Sequence, residues 1–252
     1  MNSNCRLYAG GETHPGMQRR RNEDYFAIVA ELGLLLVADG IGGRPAGDVA
    51  AKLAVDTVCD ALANSETTWP NKGCAHPDEV CGRLRDAIAL ANRRVREQRQ
   101  RHAHLEGMGT TLAAAMMVAG RLWIAHIGDS RAYLVRAGQI TRLTSDHSVA
   151  EDALLRARLK PEVLAQLNPT VLTRGVGLSE SVTPDVRCDE VRPGDAVLLA
   201  TDGLTAVVGD TEIASVLDEY HDIGAAVSTL VDRANTRGGP DNITVVVGRW
   251  AP

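Results

Sequence analysis

The sequence predicts an α/β (α+β) fold: two packed antiparallel β-sheets flanked by helix pairs, a four-layer αββα sandwich. Three observations predict it. Strand-like runs come grouped as hairpins and meanders, and helical runs come in pairs. Two short apolar runs, 34–38 and 196–200, read as buried strands, and each is followed closely by an Asp-Gly turn.

Taken in order, residues 25–29 and 34–38 read as strands joined by a turn at 31–33. Residues 48–64 carry Val49, Leu53, Val58 and Leu62 at helical spacing. A polar stretch with two prolines, 65–77, reads as a loop. A second helix is expected over 78–101, with Val80, Leu84, Ile88, Ala91 and Val95 on one face and a solvated arginine-rich face opposite. Strand-like runs at 110–118, 121–127 and 131–136, punctuated by Gly120, Gly128 and Gly138, suggest an antiparallel meander, with a further short strand at 140–143. Residues 145–168 turn helical but broken, with Pro161 inside them, and are expected to form an inserted lobe at about 145–170. After the strand 196–200 come helices at 211–220 and 222–234 and a last strand at 242–249. No repeat or linker interrupts the chain, so one domain over 1–252 is expected.

Composition narrows the function classes. At 252 residues the chain can bury a sizeable core. A net charge of −5 argues against a general nucleic-acid binder. Three tryptophans, four tyrosines and one phenylalanine are too few for a base-stacking platform. The five cysteines are odd in number and lack C-x-x-C spacing, as expected of reduced packing thiols in a cytoplasmic protein. Residues 1–10 lack the apolar core of a signal peptide, and no apolar run approaches the length of a membrane span.

The chemistry-bearing residues lie at predicted strand ends. Asp39 follows the first apolar run, and Gly40 beside it has no Cβ to shield its carbonyl, so the pair offers a hard metal ion two oxygens. Asp202 repeats that context in Thr201-Asp202-Gly203. Asp129 follows the strand 121–127, Asp241 precedes the last strand, and Glu23 and Asp24 precede the first. Carboxylates clustered in this way repel and lose their ionised state unless a cation compensates them. With no regularly spaced His or Cys, magnesium or manganese is favoured over zinc. Arg19 stands four residues before Glu23, and its guanidinium fork suits a pair of phosphate oxygens. The glycines at 40, 42 and 43 do not fit either phosphate-loop spacing. His102 and His104 are expected to be exposed polar residues, and His126 and His147 buried and hydrogen-bonded.

In chain order the sequence carries Gly16-x-x-Arg19-x-x-Asn22-Glu23-Asp24, Asp39-Gly40-x-Gly42-Gly43 and Gly109-Thr110-Thr111. Then come Gly128-Asp129-Ser130-Arg131, Leu172-Thr173-Arg174, Thr201-Asp202-Gly203 and Asp241-Asn242-Ile243-Thr244. This succession, spanning nearly the whole chain, resembles the metal-dependent PPM (type 2C) serine/threonine protein phosphatases in their bacterial form. The resemblance implies a two-sheet sandwich with a binuclear Mn2+ or Mg2+ centre at one end, hydrolysing phosphoserine and phosphothreonine in proteins. It implies that Asp39, Asp202 and Asp241 hold one ion, and that Asp39, Glu23 and the Gly40 carbonyl surround the second. Asp129 would join Asp202 at a third, Asp24 and Asn242 would stand behind the ligands, and Arg19 would bind the substrate phosphate. The lobe at 145–170 falls where the family has a flap. Some members carry a histidine after the Asp-Gly, proposed as general acid; here that position is Ile41.

Two rivals differ in class or setting. A phosphoprotein-binding pseudo-phosphatase would lack Asp39, Asp202 or Asp241, and all three are present. A partner-switch phosphatase of a small phosphorylated regulator keeps the chemistry, and a short chain with no sensor domain disfavours it. The expected partners are phosphorylated protein substrates of a serine/threonine kinase, with no nucleic acid and no membrane, the protein itself being a monomer.

Overall fold

In the computed structural model of the protein, the residues described are 6–41, 46–63, 77–118, 120–152, 157–164 and 166–251. The polar loop expected at 65–77 lies almost entirely outside them, as do Gly42 and Gly43.

The strands are β1 Arg6–His14, β2 Asp24–Val29, β3 Leu34–Ile41, β4 Gly109–Thr110, β5 Leu112–Val118 and β6 Arg121–Ile127. They continue as β7 Arg131–Arg136, β8 Gln139–Arg142, β9 Asp185–Glu190, β10 Ala196–Ala200 and β11 Ile243–Ala251. The main helices are α1 Gly47–Ala63, α2 Pro77–Arg101, α3 Asp210–Glu219 and α4 Ile223–Thr236. One sheet has the order β1-β11-β10-β7-β8 and the other β2-β3-β5-β6-β9, with β4 paired to β3. Every strand pair is antiparallel.

The period-two alternation of a strand explains how one run serves two cores. In β3, Leu35 and Val37 face the other sheet, meeting Val197, Leu199 and Val246. Leu34, Leu36 and Ala38 face the helix layer, packing with Ala50, Ala54 and Val58 of α1 and Leu84, Ile88 and Val95 of α2. In the second sheet, Leu198, Ala200, Val245 and Val247 pack under Ile213 and Leu217 of α3 and Val227, Leu230 and Val231 of α4. These residues are buried, so truncating one, as in Leu36→Ala, is expected to cost about 2–5 kcal/mol. Four layers result, as the sequence predicts.

Several expectations are corrected. β1 and β9 do not stand out in the sequence: β1 carries two adjacent glycines, and β9 is a charged sheet-edge strand, Asp-Val-Arg-Cys-Asp-Glu. The run 110–118 breaks at Thr111, which is in neither β4 nor β5. The meander ends at β6, because β7 belongs to the opposite sheet, beside β10; the chain turns that corner at Gly128, which has φ +104°. Val49 is exposed; the core face of α1 holds Val58 and Leu62, as expected, together with Ala50, Ala51, Ala54 and Val55. Among the described residues of 145–168, helix is confined to 157–158 and the short turn Pro161–Leu164. Pro161 opens that turn, where its missing N–H is not needed. β3 runs three residues past its expected end, through Asp39 and Gly40 to Ile41, so that Asp-Gly pair lies in the strand and not in a turn after it. The remaining boundaries shift by a residue or two, with Asp222 capping α4 by accepting from the Ala225 amide at 2.8 Å.

Candidate metal centre

Antiparallel pairing brings the strand ends to one end of the sandwich. Asp24, first residue of β2, is in register with Asp39 near the end of β3. The amide of Thr111, just before β5, donates to Asp39 O at 2.9 Å. In the other sheet Ala200, the last residue of β10, is paired with Arg131 at the start of β7 and with Val245 near the start of β11. The segments leading to and from these ends carry Asp129, Asp202 and Asp241.

All of the candidate residues meet there. The Asp39 carboxyl is held well above the ordinary carboxylate range, first by burial and then by Asp24, Asp202, Asp129 and Asp241. Asp202 is raised by burial and by Asp241. Its Oδ1 is buried without a partner. Asp129 is raised to about 7 by burial, with Asp202 and Asp146 adding to the effect. Asp241 accepts from its neighbour's amide, Asn242 N, at 2.8 Å and from Arg19 Nη2 at 2.8 Å.

Glu23 and the Gly40 carbonyl converge over the start of α1. A methyl group placed on Gly47 would lie 2.6 Å from Glu23 Oε2 and 2.9 Å from Gly40 O. A Cβ on Gly40 would come within 2.3 Å of the Gly47 backbone, so only glycine lets the helix start pack on the end of β3. Burial raises the Glu23 carboxyl, and Asp48 on the first turn of α1 raises it further.

The surrounding polar groups hold these oxygens in place. Asp24 is buried, and its Oδ2 accepts from Thr201 Oγ1 at 2.8 Å and Thr244 Oγ1 at 2.7 Å. Asn242 ties the Arg19 loop to β11: its Oδ1 accepts from Glu23 N at 2.8 Å, and its Nδ2 donates to Pro15 O at 2.9 Å and Arg21 O at 2.8 Å. Thr111 Oγ1 accepts from Asp39 N at 2.9 Å and shares a 2.7 Å hydrogen bond with Ser130 Oγ. Arg131 binds Asp146 in a fork, Nε to Oδ1 at 3.1 Å and Nη2 to Oδ2 at 2.7 Å.

The sequence did not single out Thr111, Ser130, Thr201, Thr244 or Asp48 for these roles. Each lies within two residues of an anticipated site residue or in a quoted motif, except Asp48, whose only signal is its place at a helix start. His126 and His147 are buried and hydrogen-bonded, as expected.

The donor set is wholly oxygen and strongly negative. Its carboxyls are driven toward neutrality by burial and by one another, and two buried carboxylate oxygens, Asp24 Oδ1 and Asp202 Oδ1, have no partner. Hard divalent cations such as Mg2+ or Mn2+ fit such a set. Fold and site together define a metal-dependent enzyme whose carboxylate centre caps one end of a two-sheet sandwich.

The comparisons make that class specific. Residues 13–235 match the family described as Protein phosphatase 2C. The chain is 33% identical over 245 residues to the serine/threonine phosphatase stp of Listeria welshimeri, covering 96% of this chain and 95% of that one. It superposes on the Mycobacterium tuberculosis serine/threonine phosphatase PstP/Ppp with a TM-score of 0.82 at 34% identity, covering 98% and 100% of the two chains. A structure of the PstP catalytic domain in complex with two manganese ions matches with a TM-score of 0.82 at 32% identity, covering 99% and 100%. The chain belongs to the protein phosphatase 2C family.

Proposed function

We propose that this metal-dependent protein serine/threonine phosphatase works through the carboxylates at the end of the sandwich. One observation carries the assignment: Asp24, Asp202, Asp129 and Asp241 crowd the Asp39 carboxyl, the buried Asp202 Oδ1 has no partner, and Arg19 stands on Asp241 at 2.8 Å. In this reading Asp39, Asp202 and Asp241 hold one Mn2+ or Mg2+, while Asp39, Glu23 and the Gly40 carbonyl flank a second. Asp129 and Asp202 take a third. Bound there, divalent cations supply an acidified water nucleophile and screen the charge of the phosphate.

The chain's own groups do the remainder. Arg19, half exposed at the mouth of the site, exchanges its contact with Asp241 for two phosphate oxygens. Asp24, clasped by Thr201 and Thr244, and Asn242 keep Asp39, Glu23 and Asp241 in register. Ile41 offers no proton to the departing serine or threonine oxygen.

We read residues 1–252 as one catalytic domain with 145–170 as a lobe at its edge. Its base is supported by the bridges Ser148 to Leu172 and Thr110 to Val176. The substrates are phosphorylated proteins, products of a serine/threonine kinase, met by a cytoplasmic monomer. Cys59, Cys81 and Cys188 are free, and among the described residues no helix is long and apolar enough to cross a membrane. The test is phosphate release from phosphoserine and phosphothreonine peptides in Mn2+. Peptide binding without release would favour the pseudo-phosphatase instead.

A further inference from the structure

Beyond the carboxylate centre, His147 grips the corner that carries Asp129. Its backbone N–H donates to Gly128 O at 2.9 Å, and its ring Nδ1 accepts from Gly128 N at 3.2 Å. Both sides of one residue are therefore tied to one histidine. Gly128 holds φ +104°, and a Cβ there would lie 2.6 Å from Thr111 Cβ, so the corner is pressed between Thr111 and His147. Thr111 is the residue that accepts from Asp39 N. On its far side His147 Nε2 lies 3.2 Å from Asp185 Oδ2, and Asp185 Oδ1 accepts from Arg174 at 3.0 Å. The His147 carbonyl accepts from Thr173 N at 2.7 Å. One buried ring thus joins the base of the 145–170 segment to the residue preceding Asp129.

A metal ion is the obvious competing explanation, since ligand atoms of His126, His147 and Asp185 lie within 4.8 Å of one another. The hydrogen-bond pattern opposes it. The Gly128 N–H points at Nδ1, so the ring proton sits on Nε2 and points at Asp185. An ion on Nε2 would push that proton onto Nδ1, against another N–H. His126 turns its Nε2 to Ser145 O at 2.9 Å. Burial, with His126 and Arg174 nearby, pushes the His147 pKa down to about 4, which keeps the ring neutral.

We propose that His147 is a positioning residue: neutral, with its proton on Nε2 and locked by Asp185, it clamps Gly128 and so aims Asp129 at an additional divalent cation. The proposal rests on the reading that Asp129 and Asp202 take such an ion. A partner bonded directly to a metal ligand is typically worth about 10–100-fold in metal affinity, which sets the upper bound for a clamp that acts through the backbone of the preceding residue.

Calorimetric titration with Mn2+ alone tests it. Asp129→Asn is expected to remove the weakest Mn2+ site and leave the tighter ones. His147→Ala and His147→Gln are expected to weaken that same site by up to about 100-fold. His147→Asn, whose side-chain oxygen takes the place of Nδ1, is expected to restore most of it. Asp185→Ala, at an exposed side chain that does not threaten the fold, is expected to shift it in the same direction by less. Long-range 15N–1H NMR of the metal-stripped protein is expected to find the His147 proton on Nε2. A proton on Nδ1, or His147→Asn behaving like His147→Ala, would overturn the clamp. So would loss of the site in Asp129→Asn with none in His147→Ala. If Asp129→Asn removes no ion, the underlying reading of an additional ion fails, and the clamp with it.

Discussion

Arg19 Nη2 lies 2.8 Å from Asp241 Oδ2, and their side chains are 54% and 35% exposed. An ion pair so open to water contributes little stability. The guanidinium is therefore free to leave for a phosphate, and Asp241 to turn to a cation. Arg19→Ala is expected to raise KM for a phosphopeptide by about 10–100-fold, the worth of a charge-assisted hydrogen bond. Mn2+ affinity is expected to hold or tighten slightly, because Arg19 supplies no ligand and its weak, exposed contact with Asp241 only competes with the cation. Steady-state kinetics with calorimetry checks both; an unchanged KM for peptide and aryl phosphates alike would reduce Arg19 to surface charge.

Asp129 gives a pH signature. Its carboxyl rises from 3.8 to about 7 on folding, through burial first and then Asp202 and Asp146. A raised pKa means stability fully present below 3.8 and lost as pH climbs through about 7. The buried histidines titrate with the opposite sign, so the difference between Asp129→Asn and wild type isolates the effect. In chelator the variant should match wild type near pH 4 and exceed its Tm increasingly up to pH 8. In Mn2+ the order should reverse, because the variant lacks a ligand. Thermal unfolding across pH with and without metal decides it; a pH-independent gap in chelator would contradict the assignment.

Ile41 separates two demands of the reaction. A serine alkoxide needs a proton to leave, whereas p-nitrophenolate does not. Ile41 is half-buried near Gly175 and cannot donate. Ile41→His is expected to accelerate phosphopeptide hydrolysis, within the roughly 10²–10⁴-fold that general acids provide, while barely changing p-nitrophenyl phosphate turnover. His126 and His147 are buried with hydrogen-bonded rings, and His14 Nδ1 accepts from Gly16 N at 3.0 Å. A His14→Ala or His126→Ala variant that stays folded and loses such a factor on the peptide alone, or a His147→Ala variant that does so with Mn2+ binding intact, would show that a histidine acid already exists.

Much of the site was legible because an apolar run ending in Asp-Gly marks a strand end, and antiparallel pairing must bring such ends together. Asp39 and Asp202 could be read that way, Asp129 from its place after a strand, and Glu23, Asp24 and Asp241 from their place before one. The threonines around them could not. The sequence of Thr244 does not say that its hydroxyl reaches Asp24, 220 positions away. β1 escaped notice because its stability comes from backbone pairing with β11, with Gly10 and Gly11 erasing any side-chain alternation. The crossing from β6 to β7 was hidden because both strands are apolar enough for either sheet.

The central claim is that carboxylates at the sheet ends hold the cations on which turnover depends. Its most direct test is phosphate release from a phosphothreonine peptide by metal-stripped protein, before and after Mn2+ is added. Asp39→Asn and Asp241→Asn are assayed alongside. The account predicts no turnover without metal, recovery with Mn2+ in the wild type, and none in either variant. Full turnover by the metal-stripped protein, or recovery in both variants, would contradict it.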